Sequence, residues 1–204
     1  MTDIKTENAG VLEQVEAACR GGADLIQLRS KTLTDSELCR LGLKMREITE
    51  RQRKLFFVND RPDIAILVSA DGVHLGQDDL PLTEVRTLFK RAGIFARIGK
   101  STHQMDQALA AEKEGADYIG VGPVFATPTK PHYQPAGLEF VKQASLAVSI
   151  PVVAIGGIDE KNVDLVLNAG AKRIAVVRAL FSSPDVCQAA RSLKGHIENF
   201  QHAN

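Results

Sequence analysis

The sequence has no excess charge of either sign, few cysteines and no long apolar run. Lys plus Arg is 25 and Asp plus Glu is 25, so the formal net charge is zero, which argues against nucleic-acid and membrane-surface partners. No apolar run approaches the roughly 18 residues that span a bilayer, and the first ten residues lack the apolar core of a signal peptide. Cys19, Cys39 and Cys187 are widely spaced without a C-x-x-C pair, so we expect packing thiols in a reducing, cytoplasmic setting.

A helix-to-strand junction recurs three times in the 204 residues. Each copy has a segment of helical period, then Gly-Ala, then an apolar run, and the glycines are Gly22, Gly115 and Gly170. A glycine just past a helix takes the left-handed conformation that ends it. The chain therefore alternates helices with buried strands.

The apolar runs and helical periods predict a regular α/β order. Strands are expected at residues 24–29, 54–59, 71–75, 95–100, 117–122, 151–155 and 173–177, and helices at 11–20, 34–52, 60–68, 82–92, 103–114, 138–147, 160–169 and 184–200. This order fits a doubly wound sheet or a (β/α)8 barrel. Polar residues follow many strands instead of meeting at one switch point, which favours a single barrel domain over residues 1–204. The first strand is expected to be missing or truncated, because no apolar strand precedes the first helix.

Cationic side chains end the first predicted strand. Alternation along a strand puts Gln27, Arg29 and Lys31 on one face, towards the barrel mouth. Burying two cations there is costly unless an anion compensates. The segment is either a clamp for a diphosphate or a salt-bridged strand end.

Carboxylates follow the next two strands, at Asp60 and at Asp78 and Asp79. Neighbouring barrel strands bring these side chains to one rim, opposite Arg29 and Lys31. Carboxylates together with substrate phosphates are the ligands of Mg2+. Helix caps and turn carboxylates are the alternative interpretation of each aspartate taken alone.

Two polar residues in the middle of the chain have structural explanations. His74 lies within an apolar strand, and its spacing favours a hydrogen-bonded core histidine. Ser101 follows a strand end, where a helix cap is favoured over a phosphate donor.

Two later segments suit anions. The loop from Gly120 to about Ala136 contains Thr127, Thr129 and Lys130 and is either a ligand-binding loop or an ordinary solvated one. The glycines at 156–157 and the strand end at Val177-Arg178 resemble the phosphate-binding loops after the last two strands of (β/α)8 barrels.

Together these residues predict two anion sites. Arg29, Lys31, Lys130 and a metal suit a diphosphate, and Gly157 with Val177-Arg178 suits a monophosphate. No Ser/His/Asp or Cys/His arrangement is evident. Metal-assisted departure of diphosphate, with a second phosphorylated substrate as nucleophile, therefore fits better than acyl transfer.

The motifs as a set resemble the thiamine-phosphate synthase family. The segments are QLRSK, VNDRPDIA, ADGVHLGQDDLP, IGKSTH, GADYIGVGPVFATPTK, PVVAIGGI and AGAKRIAVVRA, spread over residues 11–182. The resemblance implies a (β/α)8 barrel that joins hydroxymethylpyrimidine diphosphate to thiazole phosphate, with one Mg2+ per site. Diphosphate leaves first in that family, the pyrimidine amino group stabilises the cation, and the thiazole nitrogen attacks.

The resemblance also implies roles for single residues. The pyrimidine diphosphate would be held by Gln27, Leu28, Arg29, Ser30, Lys31, Asn59, Ser101 and Lys130, with Arg29, Lys31 and Lys130 as the catalytic cations. Asp60 and Asp79 would bind Mg2+, with Asp79 and not Asp78 matching the second ligand. The thiazole phosphate would be held by Thr127, Pro128, Thr129, Gly157, Val177 and Arg178.

The sequence departs from the family at two points. Relatives usually open with an apolar strand that ends Ile-Thr-Asp, whereas here Met1-Thr2-Asp3 begins where that strand ends. Ser30 replaces the usual acid between Arg29 and Lys31, and we expect a mild effect because its side chain points outward. An unpaired barrel edge would favour a homodimer or poor solubility.

Three other functions compete with the synthase. A thiazole tautomerase of the same superfamily would lack the metal carboxylates and the Thr-x-Thr-Lys run that stand here. A non-catalytic thiamine-phosphate or thiazole-phosphate binding protein would result from loss of the first strand. A sugar-phosphate epimerase or isomerase would need an acid/base pair that is not evident.

Overall fold

Seven parallel strands form one sheet in which every strand lies beside its neighbours in sequence. The computed structural model describes residues 1–2, 4, 9–127 and 134–203. The strands are β1 Leu25–Leu28, β2 Leu55–Asn59, β3 Gly72–Leu75, β4 Arg97–Thr102, β5 Tyr118–Val121, β6 Val152–Ile155 and β7 Ile174–Ala175. Their spatial order is the chain order, β1 to β7, and the sheet is open and curled. All seven predicted strands are confirmed, and so is the α/β class.

Helices alternate with these strands as the repeated junction predicts. They are α1 Ala9–Arg20, α2 Asp35–Arg51, α3 Pro62–Leu67, α4 Leu82–Arg91, α5 Met105–Lys113, α6 Gly137–Ala147, α7 Val163–Asn168, α8 Arg178–Phe181 and α9 Val186–Ala203. The three junction glycines have positive φ angles, 104° at Gly22, 86° at Gly115 and 99° at Gly170, as expected where a helix ends in a left-handed residue. The four-residue helix α8 was not predicted. None of the described helices is long and apolar enough to cross a membrane.

The first residues of the chain lie beside the carboxyl end of β1. The Thr2 and Ile4 amides donate to the carbonyls of Gln27 and Arg29, at 2.8 and 3.0 Å, and Ile4 forms a parallel bridge with Ser30. The sheet is open between its first and last strands, β1 and β7. The Met1 nitrogen donates to the Val176 carbonyl, just past β7, at 3.2 Å. Among the described residues this segment does not form a full strand. It connects β1 to the end of β7 at the carboxyl edge of the sheet.

The two faces of the sheet present different kinds of side chain. Apolar side chains that point outward, such as Phe56, Val58 and Ile98, are completely buried in the core under the helices. Burial of each such side chain contributes about 1.5–3 kcal/mol. The inner face instead has large rings opposite glycines, since a Cβ at Gly72 would lie 2.7 Å from the Phe57 ring and one at Gly99 would overlap the Tyr118 ring.

Aspartates reinforce the amino edge of the sheet, opposite the strand ends that have the polar motifs. Three strands are preceded by an aspartate that pairs with a basic side chain on a helix. The pairs are Asp24–Lys194 at 2.8 Å, Asp71–Arg46 at 2.7 Å and Asp117–Arg86 at 2.7 Å. Asp71 and Asp117 also accept a hydrogen bond from a main-chain amide of the preceding strand, Phe56 at 2.8 Å and Ile98 at 2.7 Å.

Candidate active site

An ion pair joins the carboxyl ends of β1 and β2. Lys31 lies just past β1, and its Nζ is 2.6 Å from Oδ2 of Asp60, which follows β2. The Asp60 main chain has a φ of 62° and its amide donates to the His74 carbonyl at 2.8 Å. This turn aims the carboxylate across the edge towards β3. The prediction that Lys31 and Asp60 share one rim is confirmed.

A second carboxylate meets Asp60 from the loop after β3. Asp79 and Asp60 lie within hydrogen-bonding reach of each other when one of the two is protonated, and Oδ2 of Asp79 also accepts from the Gly76 amide at 2.6 Å. Burial raises the pKa of Asp79, and the hydrogen bond to Asp60 raises it further. Burial opposes ionisation of Asp60 too, but the hydrogen bonds from Asp79 and Lys31 outweigh it and lower the pKa of Asp60. Two carboxylates this close share a proton or a cation.

Neither aspartate caps a helix, so this alternative for Asp60 and Asp79 is wrong. Helix α3 begins at Pro62 after Arg61, helix α4 begins after Pro81, and neither has a side-chain cap. Asp79 does serve as a turn carboxylate through its bond to Gly76. Among the described residues the Asp60 carboxylate makes no such turn contact, and it meets Lys31 and Asp79 instead.

The carboxylate pair fits a hard divalent cation such as Mg2+. Both donors are carboxylate oxygens, and a cation between them would remove the need for a shared proton. No group of three or more His, Cys, Asp or Glu side chains suited to a metal occurs in the described part of the chain. Two protein ligands leave most of the octahedron to water and substrate phosphates, as is usual for Mg2+.

The loop after β3 is tied to β4 by two polar contacts. The Lys100 ammonium, which is 9 % exposed, donates to the Gly76 carbonyl at 2.7 Å. The Gln77 amide donates to the Ser101 carbonyl at 2.5 Å. Both contacts hold the turn from which Asp79 reaches Asp60. Neither Lys100 nor Gln77 is among the site residues that the sequence predicts.

The Ser101 side chain lies on the inner face of the curled sheet, so its prediction as a helix cap is wrong. Helix α5 begins four residues later, at Met105 after Gln104. The Ser101 hydroxyl lies 2.9 Å from Nε2 of His74, and Nδ1 of His74 lies 2.8 Å from the Tyr118 hydroxyl. His74 is therefore a buried, hydrogen-bonded histidine, as its spacing predicts. Tyr118 lies within one of the motifs but is not among the site residues that the sequence predicts.

The side chains of the β1 segment divide between the site and the scaffold. Gln27 is 7 % exposed, and its Oε1 has no hydrogen-bond partner among the described residues. The Leu28 side chain is completely buried on the other face, where a Cβ at Gly42 would contact it at 3.4 Å, so its main chain alone is left for a ligand. The Ser30 hydroxyl donates to the Ile4 carbonyl at 2.6 Å and supports the turn after β1. Ser30 therefore faces away from the site, as expected for the intervening residue.

The second predicted anion site is partly described. The Phe125 amide donates to the Gly156 carbonyl at 3.0 Å, and a Cβ at Gly157 would lie 2.8 Å from that of Phe125. Only glycine allows this close approach, which brings Gly157 beside the loop that leads to Thr127. Val177 directly precedes α8, whose first residue is Arg178. Pro128, Thr129 and Lys130 lie outside the described residues.

The fold and the site define an α/β protein of the TIM-like class, with polar side chains gathered at the carboxyl edge of its strands. A protein-family model described as thiamine monophosphate synthase matches residues 1–180. The chain is 48% identical over 187 residues to a thiamine-phosphate synthase of Thermus thermophilus, covering 91% of this chain and 88% of that protein. The chain belongs to the thiamine monophosphate synthase family.

Further comparisons agree on the family and the fold. The thiamine-phosphate synthase of Synechococcus sp. CC9311 is 48% identical over 183 residues, which are 90% of this chain and 51% of that protein. The chain thus spans about half the length of such cyanobacterial relatives. The structure of thiamine phosphate pyrophosphorylase from Pyrococcus furiosus superposes with a TM-score of 0.88 at 37% identity, covering 98% of this chain and 94% of that chain.

Proposed function

We propose that the chain condenses 4-amino-2-methyl-5-(diphosphooxymethyl)pyrimidine with thiazole phosphate, giving thiamine phosphate and diphosphate. The relatives named thiamine-phosphate synthase support this reaction, and the sequence motifs that carry the resemblance fall at the site. The observation that supports it best is the Lys31–Asp60–Asp79 cluster, which combines an ammonium with two hard-oxygen ligands at one strand edge.

The diphosphate end of the substrate would lie at this cluster. Lys31 is 61% exposed at its side chain, so its ammonium remains accessible to a phosphate oxygen while it contacts Asp60. Arg29 and Lys130 are proposed as the other two cations, in accord with the resemblance. Asp60 and Asp79 would hold Mg2+, which when bound neutralises charge that develops on the departing diphosphate.

The pyrimidine end would extend from this edge into the barrel interior. The unpartnered Gln27 Oε1 is an acceptor that suits the amino group of the pyrimidine ring. Asn59 and the Ser101 hydroxyl lie at the same edge, and the rings of Phe57 and Tyr118 lie below them with centroids 5.8 Å apart. A buried acceptor such as Gln27 Oε1 costs free energy when it has no hydrogen-bond donor. A ligand ring with an amino group would supply that donor, so such a ring is favoured.

The chemistry then needs orientation and charge stabilisation more than a protein base. The C–O bond of the diphosphooxymethyl group breaks, and its electron pair leaves with diphosphate. The pyrimidine amino group stabilises the resulting carbocation, and the thiazole nitrogen donates its lone pair to form the new C–N bond. The reaction is accelerated by placing the two rings in contact and by stabilising the charge of the leaving diphosphate.

The thiazole phosphate is assigned to the second site. Thr127, Pro128, Thr129, Gly157, Val177 and Arg178 are proposed to hold it, with main-chain amides near Gly157 and Val177 as donors. The tight approach of Gly157 to residue 125 supports a main-chain cradle there. The two sites then present the thiazole nitrogen to the carbon that loses diphosphate.

The sheet is proposed to correspond to a (β/α)8 barrel with Met1, Thr2 and Ile4 at the position of the first strand's carboxyl end. Their hydrogen bonds to β1 and to Val176 support this assignment. A thiazole tautomerase is disfavoured, because Asp60 and Asp79 stand in contact at the site and such relatives lack the pair.

Diphosphate release by the purified chain tests the proposal. We expect release only when both substrates and Mg2+ are present, and loss of release with EDTA or in Asp79→Ala. Asp78→Ala is the matched control, because Asp78 is the adjacent carboxylate and has no assigned ligand role; it should keep most of the activity. Failure to release diphosphate from both substrates with Mg2+ would contradict the proposal.

A further inference from the structure

Three polar side chains from neighbouring strands form one hydrogen-bonded row inside the barrel. Tyr118 on β5, His74 on β3 and Ser101 on β4 are linked by contacts of 2.8 Å, from the Tyr118 hydroxyl to His74 Nδ1, and 2.9 Å, from His74 Nε2 to Ser101 Oγ. The row runs from Tyr118 to Ser101, at the carboxyl edge; both residues are half-buried overall, and burial around the Tyr118 hydroxyl raises its pKa.

Glycines on the inner face make room for this row. A Cβ at Gly99 would overlap the Tyr118 ring, and a Cβ at Gly120 would lie 3.1 Å from Cε1 of His74. The His74 and Tyr118 rings pack with centroids 5.4 Å apart at an interplanar angle of 30°. Both rings are therefore held by packing as well as by hydrogen bonds.

The direction of the hydrogen bonds follows from the Tyr118 end of the row. Of the described residues, only His74 meets the Tyr118 hydroxyl at hydrogen-bond distance. A buried hydroxyl that only accepted would leave its own hydrogen unbonded, which is unfavourable. Burial also raises the pKa of Tyr118, so this hydroxyl keeps its hydrogen.

This direction determines which partners the Ser101 hydroxyl hydrogen can be donated to. With Tyr118 donating to Nδ1 of His74, that nitrogen is an acceptor and has no hydrogen of its own, so the ring hydrogen is on Nε2, which donates to Ser101 Oγ. The Ser101 O–H is then left to donate to something other than His74. We infer that Tyr118 and His74 are positioning residues that make Ser101 a hydrogen-bond donor towards the pyrimidine diphosphate.

This inference rests on the proposed function for the identity of the ligand. It adds that Ser101 meets an acceptor atom of that substrate, a ring nitrogen or a phosphate oxygen, and not a donor such as the amino group. Gln27 Oε1, which has no partner among the described residues, supplies the complementary acceptor. The pocket would thus separate donor and acceptor edges of the ligand.

A double-mutant cycle on substrate affinity tests the positioning role. Titration calorimetry with the pyrimidine diphosphate and Mg2+, without thiazole phosphate, should show about fivefold weaker binding for Tyr118→Phe and about tenfold for Ser101→Ala. The double variant should bind within about twofold of Ser101→Ala, because Tyr118 acts through that hydroxyl. Independent, multiplying losses would overturn the inference.

Thr102→Val is the matched control for losing a buried hydroxyl. Thr102 follows Ser101 on β4, is completely buried, and donates from Oγ1 to the Gly120 carbonyl at 3.1 Å. This variant should lower the unfolding temperature and leave the affinity unchanged. An equal loss of affinity in Thr102→Val would mean that Tyr118→Phe acts through stability alone, which also overturns the inference.

The tautomer of His74 gives a readout that is independent of activity. Nitrogen NMR of imidazole-labelled protein without substrate should show the hydrogen on Nε2 in the unaltered chain, and a shift towards Nδ1 in Tyr118→Phe. A hydrogen on Nδ1 in the unaltered chain would overturn the inference whatever the enzyme does. The expected tautomer in a chain that neither binds nor turns over the pyrimidine diphosphate would contradict the proposed function and the substrate role of Ser101, but not the order of the hydrogen bonds.

Discussion

Asp117 at the amino edge of the sheet should contribute to stability and not to catalysis. Its carboxylate accepts from the Ile98 amide at 2.7 Å and from Arg86 at 2.7 Å. In Asp117→Ala the amide of the completely buried Ile98 loses its acceptor, which costs about 1.5–3 kcal/mol for a bond to a charged group. The ion pair adds little, because its side chains are 39% and 36% exposed and Arg86 keeps the Ala96 and Gly115 carbonyls.

We therefore expect Asp117→Ala to lower the free energy of unfolding by about 2 kcal/mol and the unfolding temperature by about 4–8 °C. Urea unfolding followed by circular dichroism measures the first quantity. Asp24→Ala is the matched control, because Asp24 also precedes a strand but, among the described residues, its carboxylate is hydrogen-bonded only to the Lys194 ammonium, at 2.8 Å. The free energy of unfolding of Asp24→Ala should fall by less than about 1 kcal/mol. Equal losses in the two variants would refute the reasoning that the main-chain acceptor matters.

Two further predictions concern the carboxyl edge and the inner face of the sheet. Lys31→Gln should raise KM for the pyrimidine diphosphate about tenfold and leave KM for thiazole phosphate unchanged, because its ammonium contacts Asp60 after β2 whereas Gly157 follows β6. Steady-state kinetics with each substrate varied in turn measures both values, and equal changes would contradict the two-site assignment. Gly99→Ala should destabilise the fold by about 1–3 kcal/mol, because the new Cβ overlaps the Tyr118 ring; thermal unfolding measures this, and an unchanged unfolding temperature would show that the ring has room to move.

The sequence predicts the strands and the rim well, because both depend on local pattern. Apolar runs, several of them bounded by glycine or aspartate, locate the strands, and the parallel order brings Asp60 and Asp79 to one edge without further information. Helix α8 was missed because four residues are too few to show a helical period. The segment at Met1, Thr2 and Ile4 has no apolar run of its own, so only the family resemblance placed Met1-Thr2-Asp3 at the end of a strand. Main-chain hydrogen bonds and the Thr2 hydroxyl hold it beside β1.

The interior row could not be predicted from spacing alone. His74 contacts Ser101 and Tyr118 across two strand pairings, and whether those side chains meet depends on the register and on the empty space at Gly99 and Gly120. The signal was present as glycines within apolar strands, which indicate close approach by a neighbour. Ser101 was assigned to a helix cap because a serine after a strand usually precedes a helix directly, whereas here α5 begins four residues later.

Direct detection of the product is the most decisive test of the condensation. The purified chain, given both substrates and Mg2+, should form thiamine phosphate by mass spectrometry in a one-to-one ratio with released diphosphate. Diphosphate that appears without thiazole phosphate, or without an equal amount of thiamine phosphate, would show hydrolysis in place of condensation and would contradict the account.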